Sequence, residues 1–439
     1  MSKKKFTSAD LFCSEFCHYI RYNIKHNSIG DLKDTSYSIK GSGTSIVASF
    51  FTKGSVVLET FTNKNVISFN IKKKEIVVSP TITLSELYEF LIPYGLYIGS
   101  VPSFPGASIG GCVAANVHGQ NHIIEGCFIN NIIDIVLFNQ HKGIINISRN
   151  INEELFDLTV GGYGVTGVIH EVRLRLIEIK STVLDIEIIK FNSLLEGFKI
   201  IERESLKYDY IHSWFDLSVF DKKQHKGFIS LGKFSKKNKI VSKELQSHKG
   251  EIHNKLLINI FGTMLIKIIN KFYFYKNTYK DKKERDLYDF IFPSKNNLFY
   301  FSMFGTRGII EHQVLIPFNN AETYLDDLIS IILHYKPIIS LCHLKVFRGK
   351  SSYVRFDGNG YCLGIHLFNN NKATLALQEI DKINNRYKCK VNLIKDSRIG
   401  IESIEDQYED LEIFRSKVKE NMPYLFFTNS IINKLFNKK

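Results

Sequence analysis

The sequence has no apolar run long enough to cross a membrane, and its cysteines form no pattern that would hold a small fold together. The apolar stretch at residues 256–266 (LLINIFGTMLI) is shorter than the roughly 18 to 20 residues that a spanning helix needs. The N-terminal residues lack a long apolar core, so we predict no secretory signal. Seven scattered cysteines, an odd number, suit a reducing compartment rather than a disulfide framework. We therefore predict a cytoplasmic protein, with peripheral contact at the inner face of the membrane left open.

Metal-binding patterns are also missing from the sequence. Cys13, Cys17 and His18 have loose ligand spacing, but no second pair of ligands follows them. We predict no metal site.

Acidic residues are too few to balance the basic ones, 44 against 58, which gives a net charge of +14. This charge points to an anionic partner such as nucleic acid, a lipid surface or a phosphorylated substrate. Much of it lies in residues 221–285, where a solvated lysine-rich face is the alternative interpretation. No nucleic-acid-binding motif appears, and the aromatic residues that are interleaved with basic ones are diffuse. We therefore predict no nucleic-acid partner and keep a basic nucleic-acid-binding protein only as the least favoured function.

Three segments are poor in side chains. They are residues 40–45 (KGSGTS), 101–122 (VPSFPGASIGGCVAANVHGQNH) and 161–167 (GGYGVTG), called here the first, second and third loop. Only small side chains let a backbone come within van der Waals reach of a flat or anionic ligand. We interpret the loops as backbone walls of one dinucleotide site. Three unrelated glycine turns are the alternative, because a single glycine cluster is a weak signal.

Short strands and short helices surround these loops. Runs of β-branched residues predict strands at residues 37–40, 55–60, 66–71, 76–79, 132–138, 143–148 and 168–177. Thr83 and Glu86 form a capping box that begins a helix ending before Gly95, and a second helix covers residues 152–159. The glycines do not follow the strand, GxGxxG, helix order of a Rossmann unit. The pattern predicts an α+β fold.

The second half of the chain is predicted to be rich in strands. A region beginning near Ser181 has strands at residues 183–190 and 210–217 and a helix at 194–204. Later, strands at 308–317, 340–347, 361–368 and 389–394 and helices at 319–334 and 372–386 give the β-α-β-β-α-β order of ferredoxin-like layers. A helical tail over residues 403–422 follows. No internal repeat is detected.

The three loops followed by a β-rich second half resemble the vanillyl-alcohol-oxidase-type flavoenzymes, also called the PCMH-type FAD family. The resemblance covers residues 35–180. It implies a two-part FAD-binding domain at residues 1–180, a substrate (cap) domain at 181–390 built on an antiparallel sheet with helices, and a segment at 391–439 that returns to the FAD domain. Several members link the flavin covalently to a histidine of the first loop. Thr44 stands at that position here, so we predict non-covalent FAD.

The resemblance also implies which residues bind FAD. The first loop would cradle the pyrophosphate, residues 103–118 would run along the isoalloxazine, and the third loop would pack on the adenosine and the flavin. The implied FAD-binding residues are Gly41, Ser42, Gly43, Thr44, Ser45, Ser103, Ser108, Ile109, Gly110, Gly111, Ala115, Asn116, Val117, His118, Gly162, Gly167, Ile169, Asn392 and Lys395.

Six motifs in the right order narrow the resemblance to the decaprenylphosphoryl-ribose 2′-oxidase family. They are HGQNH from His118, WFD from Trp214, EHQVLIP from Glu311, LKVF from Leu344, YC from Tyr361 and KDSR from Lys395. That family oxidises a sugar-ring hydroxyl to a ketone on a polyprenyl-phosphate carrier, within an epimerisation that a short-chain reductase completes. The resemblance implies a lipid-linked sugar substrate, a short-chain reductase partner, a quinone-type electron acceptor and a role in cell-envelope glycan synthesis.

Carried over residue by residue, the resemblance places Lys395 beside the flavin and the reacting hydroxyl, where a cation stabilises negative charge. His118 and Lys345 would flank the pocket, Gln313 would supply an amide to the sugar, and Cys362 would line the pocket near the ring. Each residue also has a structural alternative. Cys362 can be an inert buried thiol, His118 a loop residue, Lys345 an exposed strand residue and Lys395 part of a turn beside an Asp396–Arg398 pair.

The sequence departs from that family at several pocket positions. Ile46 stands where the family has tyrosine, Gln120 where it has lysine, Glu311 where it has glutamine, and Gly360 where it has asparagine. These changes alter the polar lining of the pocket and leave the loops intact. A flavin oxidase of a soluble alditol or aldonolactone is therefore the alternative function.

Overall fold

The computed structural model describes residues 2–24, 35–219, 225–237, 239–240, 262–295 and 297–436. Most of the apolar stretch at residues 256–266, and much of the basic region that follows residue 220, lie outside the described residues. In the described part of the chain, no helix is both long and apolar enough to cross a bilayer.

The first half of the chain forms two larger sheets and one two-stranded sheet. Its strands are β1 (Ser2–Thr7), β2 (Ser14–Asn23), β3 (Tyr37–Lys40), β4 (Val56–Phe61), β5 (Val66–Asn70), β6 (Glu75–Val78), β7 (Leu96–Tyr97), β8 (Ile132–Asn139), β9 (Gly143–Ser148), β10 (Val168–Arg175) and β11 (Ile177–Glu178). Its helices are α1 (Leu84–Leu91), α2 (Ile109–Ala115), α3 (His122–Glu125) and α4 (Glu153–Thr159). A four-stranded mixed sheet has the order β1-β2-β4-β3, and a five-stranded antiparallel sheet has the order β5-β6-β10-β8-β9.

Local signals explain several of these elements. The predicted capping box is confirmed, because Thr83 accepts a hydrogen bond from the Glu86 N–H and the Glu86 carboxylate accepts one from the Thr83 N–H. Gly95, with φ of 65°, ends the turn that follows α1. Asn139 accepts hydrogen bonds from the N–H groups of His141 and Lys142 and closes the predicted β8–β9 hairpin. Strands β1 and β2 are an addition to the predicted elements.

The second half forms one eight-stranded sheet. Its strands are β12 (Val183–Phe191), β13 (Tyr210–Phe215), β14 (Gly227–Phe234), β15 (Lys282–Asp286), β16 (Ile309–Ile316), β17 (Ile339–Arg348), β18 (Asn359–Phe368) and β19 (Lys390–Val391). Its helices are α5 (Leu194–Glu204), α6 (Thr263–Thr278), α7 (Leu287–Ile291), α8 (Asn297–Ser302), α9 (Ala321–Tyr335) and α10 (Asn371–Arg386). The strand order is β15-β12-β14-β13-β17-β18-β16-β19, and all recorded pairs are antiparallel.

This sheet contains the β-α-β-β-α-β unit twice. The predicted unit, β16 to β19, has its strands side by side in the order β17-β18-β16-β19, and β12 to β15 repeat the same relative order. The two units meet edge to edge where β13 pairs with β17. The sequence does not reveal this repeat, because strand order depends on pairing across long separations along the chain.

The helices divide between the two faces of the sheet. Trp214 and Phe215 are neighbours on β13 and therefore point to opposite faces. The Phe215 ring lies 6.4 Å from Phe198 of α5, in the core that also contains α9 and α10. The Trp214 ring lies 5.3 Å from Tyr273 of α6. Helix α6 thus lies on the face of the sheet opposite α5. Helices α5, α9 and α10 do not cover that face.

The C-terminal part packs back onto the first half. It contains α11 (Ile401–Gln407), α12 (Leu411–Asn421) and α13 (Ser430–Phe436), so the predicted continuous tail is interrupted after Gln407. Tyr408, in the interruption, donates a hydrogen bond to the Val391 carbonyl. Asn429 donates to the Tyr163 carbonyl of the third loop at 2.8 Å.

Candidate active site

A cavity of about 630 Å³ separates the three loops from the face of the eight-stranded sheet that is opposite α5, α9 and α10. The loops form one wall, and strands β13, β16, β17 and β18 contribute side chains to the other. Helix α6 and the turn containing Lys395 close its sides. The structure therefore brings together segments that are far apart in the sequence.

The first loop offers backbone donors to the cavity. Gly43 has φ of 68°, and in the described part of the chain the N–H groups of Gly43, Thr44 and Ser45 donate to no other protein group. The Ser45 hydroxyl is buried and has no described partner. Consecutive free N–H groups at a left-handed turn form a concave site for an anion. This donor set fits the diphosphate of a dinucleotide.

Close backbone approach explains two glycines of the loops. A Cβ at Gly110 would lie 2.9 Å from Pro80 Cβ and 3.2 Å from the Pro80 carbonyl. A Cβ at Gly167, where φ is 143°, would lie 2.0 Å from the Phe138 carbonyl oxygen. A side chain at either position would force the backbone walls apart. The cradle in the cavity wall thus depends on these glycines.

Most of the predicted FAD-binding residues line the cavity. They are Gly41, Ser42, Gly43, Thr44, Ser45, Ser103, Ser108, Gly110, Gly111, Ala115, Val117, Gly167, Ile169 and Lys395.

The remaining predicted FAD-binding residues are not among its lining residues, and they support the walls. Ile109 is buried in the core, and Asn116 accepts a hydrogen bond from the Ile129 N–H. A Cβ at Gly162 would lie 1.9 Å from the Leu158 carbonyl oxygen, so this glycine allows close packing behind the third loop. Asn392 and His118 each form a hydrogen bond with Gln313.

Lys395 lies in the cavity wall and is ion-paired there. Its Nζ is 3.0 Å from Glu311 Oε1, and the two side chains are 29% and 5% exposed. Burial would raise the pKa of Glu311, but Lys395 and neighbouring histidines outweigh burial and hold that pKa well below its usual range. The pair therefore places a cation and an anion side by side at the cavity surface.

His118, Lys345 and Gln313 form a second polar group beside this pair. Gln313 Oε1 accepts from Asn392 Nδ2 at 2.7 Å, so it also accepts from His118 Nε2 at 3.3 Å. His118 Nδ1 then faces Lys345 Nζ at 3.4 Å as an acceptor. Burial and the charge of Lys345 hold the pKa of His118 well below its usual value, and burial lowers the pKa of Lys345. Lys345 lines the cavity, whereas His118 and Gln313 lie behind its surface.

Cys362 is fully buried and lies opposite Lys345 in the ladder between β18 and β17. Burial raises the pKa of its thiol to about 12, although Lys345 and Lys395 oppose this effect. Cys362 is not among the residues that line the cavity. Cys362 is therefore a protonated residue packed in the protein interior. That it lines the pocket near the ring stays a prediction.

Several cavity residues were missed by sequence reasoning. They are His212, Tyr300, Ser340, His343 and His366. His343 and Lys345 are two residues apart on β17, and His366 faces Glu311 across the β16–β18 ladder. Polar residues at alternate positions of otherwise apolar strands were the available signal.

Three histidines of the site are held uncharged. Burial lowers the pKa of His212 to about 3, and burial together with Lys345 holds the pKa of His343 well below its usual value. With His118, the site has three imidazoles that are uncharged at neutral pH. Cations, one carboxylate and neutral imidazoles at one site can form hydrogen bonds with a hydroxyl group.

Comparisons with known proteins agree with this geometry. Residues 31–147 match a family described as an FAD binding domain. The chain is 22% identical to the decaprenylphosphoryl-beta-D-ribose oxidase of Mycolicibacterium smegmatis, over 82% of this chain and 80% of that protein.

Other similarities are confined to a shorter segment. A mitochondrial D-lactate dehydrogenase [cytochrome] of Arabidopsis thaliana is 31% identical over 28% of this chain and 23% of its own length. A mitochondrial L-galactono-1,4-lactone dehydrogenase of Oryza sativa is 30% identical over 26% of this chain and 19% of its own length. The matched family region contains the first and second loops and ends before the third.

Proposed function

The chain is an FAD-dependent oxidoreductase, and we propose that it oxidises a secondary hydroxyl of a sugar ring to a ketone. The proposed substrate is a pentose linked to a polyprenyl phosphate, as in the decaprenylphosphoryl-ribose 2′-oxidase family that the chain resembles. The observation that carries the proposal is the convergence of Lys395, Glu311 and Lys345 on the cavity wall opposite the glycine-rich loops. The 22% identity over most of the chain supports the substrate class.

The loops would hold the cofactor, and the sheet would hold the substrate. The free N–H groups of the first loop would bind the diphosphate, and residues of the second and third loops would contact the rings. Bound FAD supplies a hydride acceptor for the oxidised carbon. Thr44 has no nucleophilic imidazole, so the FAD would be held without a covalent bond.

The remaining chemistry belongs to the side chains of the sheet face. Lys395 would donate a hydrogen bond to the substrate hydroxyl and stabilise negative charge on its oxygen as the proton leaves. The uncharged imidazole of His212, which lines the cavity, is the candidate acceptor for that proton. Apolar residues of the wall, among them Ile211, Trp214 and Leu344, would exclude water around the reacting group.

We also propose the finer organisation that the family resemblance implies. Residues 1–180 would be a two-part PCMH-type FAD domain, 181–390 a cap domain, and 391–439 a segment returning to the FAD domain. The hydrogen bond from Asn429 to the third loop supports this return. A quinone-type acceptor would reoxidise the flavin, and a short-chain reductase would reduce the ketone.

A lipid-linked substrate requires that the protein contact a membrane surface, and α6 offers a face for this contact. Met264, Ile268, Phe272 and Tyr275 are between 57% and 79% exposed, and exposed lysines lie among them on the same helix. The opposite side of α6 lines the cavity through Ile266 and other residues. An apolar strip with flanking lysines fits the interface of an anionic bilayer. We propose peripheral docking through this face.

Docking can be tested by sedimentation with phosphatidylglycerol liposomes. The double variant I268D/F272D should bind at least about 10-fold more weakly, because two exposed apolar side chains no longer enter the interface. The matched control is F16D, since Phe16 is 64% exposed on β2. Equal sedimentation of all three proteins would contradict docking through α6.

The proposed reaction is tested by anaerobic titration of the yellow protein with lipid-linked pentoses, free pentoses, alditols and aldonolactones. Loss of the oxidised flavin spectrum with the lipid-linked pentose is the expected result. Reduction by soluble polyols or lactones alone would favour the alternative oxidase function, which the short similarity to a lactone dehydrogenase supports. Acid denaturation should release the yellow colour into solution, and colour that precipitates with the chain would contradict non-covalent FAD.

A further inference from the structure

A cluster of potential metal ligands lies in the cavity wall beside Lys395. In the described part of the chain, the ligand atoms of Glu311, His343 and His366 all lie within 4.8 Å of one another, and all three residues line the cavity. We propose that these three residues bind a divalent transition-metal ion of the zinc class. The proposal goes beyond the oxidation reaction and does not depend on which alcohol is the substrate.

The spacing of the ligand atoms supports a shared ion. Glu311 Oε2 and His366 Nε2 are 3.6 Å apart, which is longer than an ordinary hydrogen bond. Two ligands with bonds of ~2.1 Å at a tetrahedral angle are separated by about 3.4 Å. Two imidazoles and one carboxylate are a ligand set that zinc, manganese and iron accept. The observed separation therefore fits an ion held between these atoms.

The surroundings orient the two histidines. Tyr300 contacts His366 Nδ1 at 3.0 Å, which leaves Nε2 directed towards Glu311. Tyr300 is itself 2.7 Å from the Ser340 hydroxyl. A hydrogen bond to the second ring nitrogen is the usual support of a metal-binding histidine.

Space around His343 is created by a glycine. Gly364 lies opposite His343 in the β17–β18 ladder, and a Cβ there would come within 2.3 Å of the imidazole ring. His343 Nδ1 is buried and has no described partner. A glycine in the middle of a strand weakens it, so its use here is explained by the room that the imidazole needs.

A second group of potential ligands, His122, Cys127 and Asp357, is less suitable for an ion. It is fully buried, and His122 Nε2 already pairs with Asp357 Oδ1 at 3.1 Å. The His122 ring stacks on Phe347 at 3.7 Å, which fixes it in the core. The Glu311 cluster differs because the cavity gives an ion access and leaves coordination positions open to an oxygen of the substrate.

Lys395 sets the strength of the proposed site. It pairs with Glu311 Oε1 and leaves Oε2 directed at His366, so the carboxylate can serve both cations. Its positive charge nevertheless opposes a second cation nearby. Removing that charge should therefore tighten metal binding at this site. The affinity of a metal ion bound elsewhere on the surface would not change.

The experiment is calorimetric titration of the chelator-treated, FAD-loaded protein with zinc chloride and, separately, manganese chloride. We expect one ion per chain and a loss of affinity of at least about 100-fold in E311Q, H343Q and H366Q. Y300F should weaken binding about 10-fold through the orientation of His366, and K395M should strengthen it about 10-fold. H334Q is the matched control, because His334 is an exposed histidine on α9.

Bound flavin, measured by its visible spectrum, reports whether each variant is folded. Unchanged affinity in E311Q and H343Q with retained flavin would overturn the proposal, as would the absence of stoichiometric binding by the wild-type protein. Loss of binding in C127S but not in H343Q would move the ion to the buried group and would also overturn it. Because no substrate is present, failure of the proposed sugar oxidation leaves this measurement unaffected.

Discussion

Removing the Lys395 side chain should separate substrate oxidation from cofactor binding. The ammonium lies 3.0 Å from Glu311 Oε1, and the carboxylate is 5% exposed. The variant K395A should keep its FAD, because the loops that line the cavity opposite it are unchanged. We expect flavin reduction by substrate to slow by about 10²- to 10³-fold, the usual effect of losing one preorganised donor to a developing negative charge.

The same substitution should cost stability, and the magnitude follows from the ion pair. At 3.0 Å the attraction is about 5 kcal/mol with an effective dielectric constant of ~20. Leaving one partner of a buried pair without the other costs about 3 to 5 kcal/mol. K395A should therefore lower the free energy of unfolding by ~3 kcal/mol. The double variant E311Q/K395M should recover most of that loss, because it removes the unpaired charge.

Three measurements together decide the role of Lys395. Urea unfolding gives the stability of K395A, K395M and E311Q/K395M, and the visible spectrum gives their flavin content. Anaerobic stopped-flow mixing with the reducing substrate gives the rate of flavin reduction. Ethylammonium ions should restore part of that rate to K395A by supplying the missing cation. A K395A protein that retains FAD and is reduced at the wild-type rate would refute the assignment.

The other predictions concern the framework of the site. Gly167→Ala should destabilise the protein by about 3 kcal/mol or more and lower its FAD content, because the new Cβ would lie 2.0 Å from the Phe138 carbonyl oxygen. Gly262→Ala is the control, because Gly262 has open space around it. Equal urea midpoints of the two variants would contradict the explanation. Asp396→Asn should lower stability by about 3 kcal/mol at neutral pH, because Asp396 binds His312 and Arg398. Burial would raise the pKa of Asp396, but Arg398 and His312 hold that pKa well below 3.8. The stability that Asp396 contributes is therefore present above pH 3.8 and is lost as the pH falls further. If the difference in unfolding free energy between the wild-type protein and D396N grew on acidification, this sign would be contradicted. Cys362 should react slowly with iodoacetamide in the folded protein at neutral pH, since the pKa of its thiol is about 12, and rapid alkylation detected by mass spectrometry would show that the thiol is accessible.

Local signals in the sequence predicted most elements of the fold. Strand β3 lies at the residues expected, and α1 begins at the capping box of Thr83 and Glu86. Elements of this kind are set by neighbours within a few residues, so periodicity and capping reveal them. The predicted strand at residues 389–394 is shorter, because Asn392 accepts hydrogen bonds from the next residues and turns the chain after Val391.

The candidate site was predictable only in part. The glycine-rich wall could be recognised because each loop is continuous in the sequence, and all three line the cavity. The prediction of the opposite wall was incomplete because the residues that come together there depend on strand register. Glu311 faces His366 across one ladder, and Gly364 faces His343 across the next. Nothing in the local sequence around His343 or His366 indicates these partners.

The repeated strand order explains why these polar groups collect at one place. Where two β-α-β-β-α-β units meet at β13 and β17, the central strands of the sheet come from both. Their shared back face is covered by α5, α9 and α10 and buries the apolar residues. Helix α6 of the β12–β15 unit corresponds in chain order to α10 of the β16–β19 unit. It packs instead on the opposite face, the front of the sheet, where Tyr273 contacts Trp214. That displacement leaves the front of β16, β17 and β18 facing the glycine-rich loops, so His343, His366 and Glu311 line a cavity and not a helix interface. Polar side chains are tolerated there because they border a cavity, and not a second layer of apolar helices.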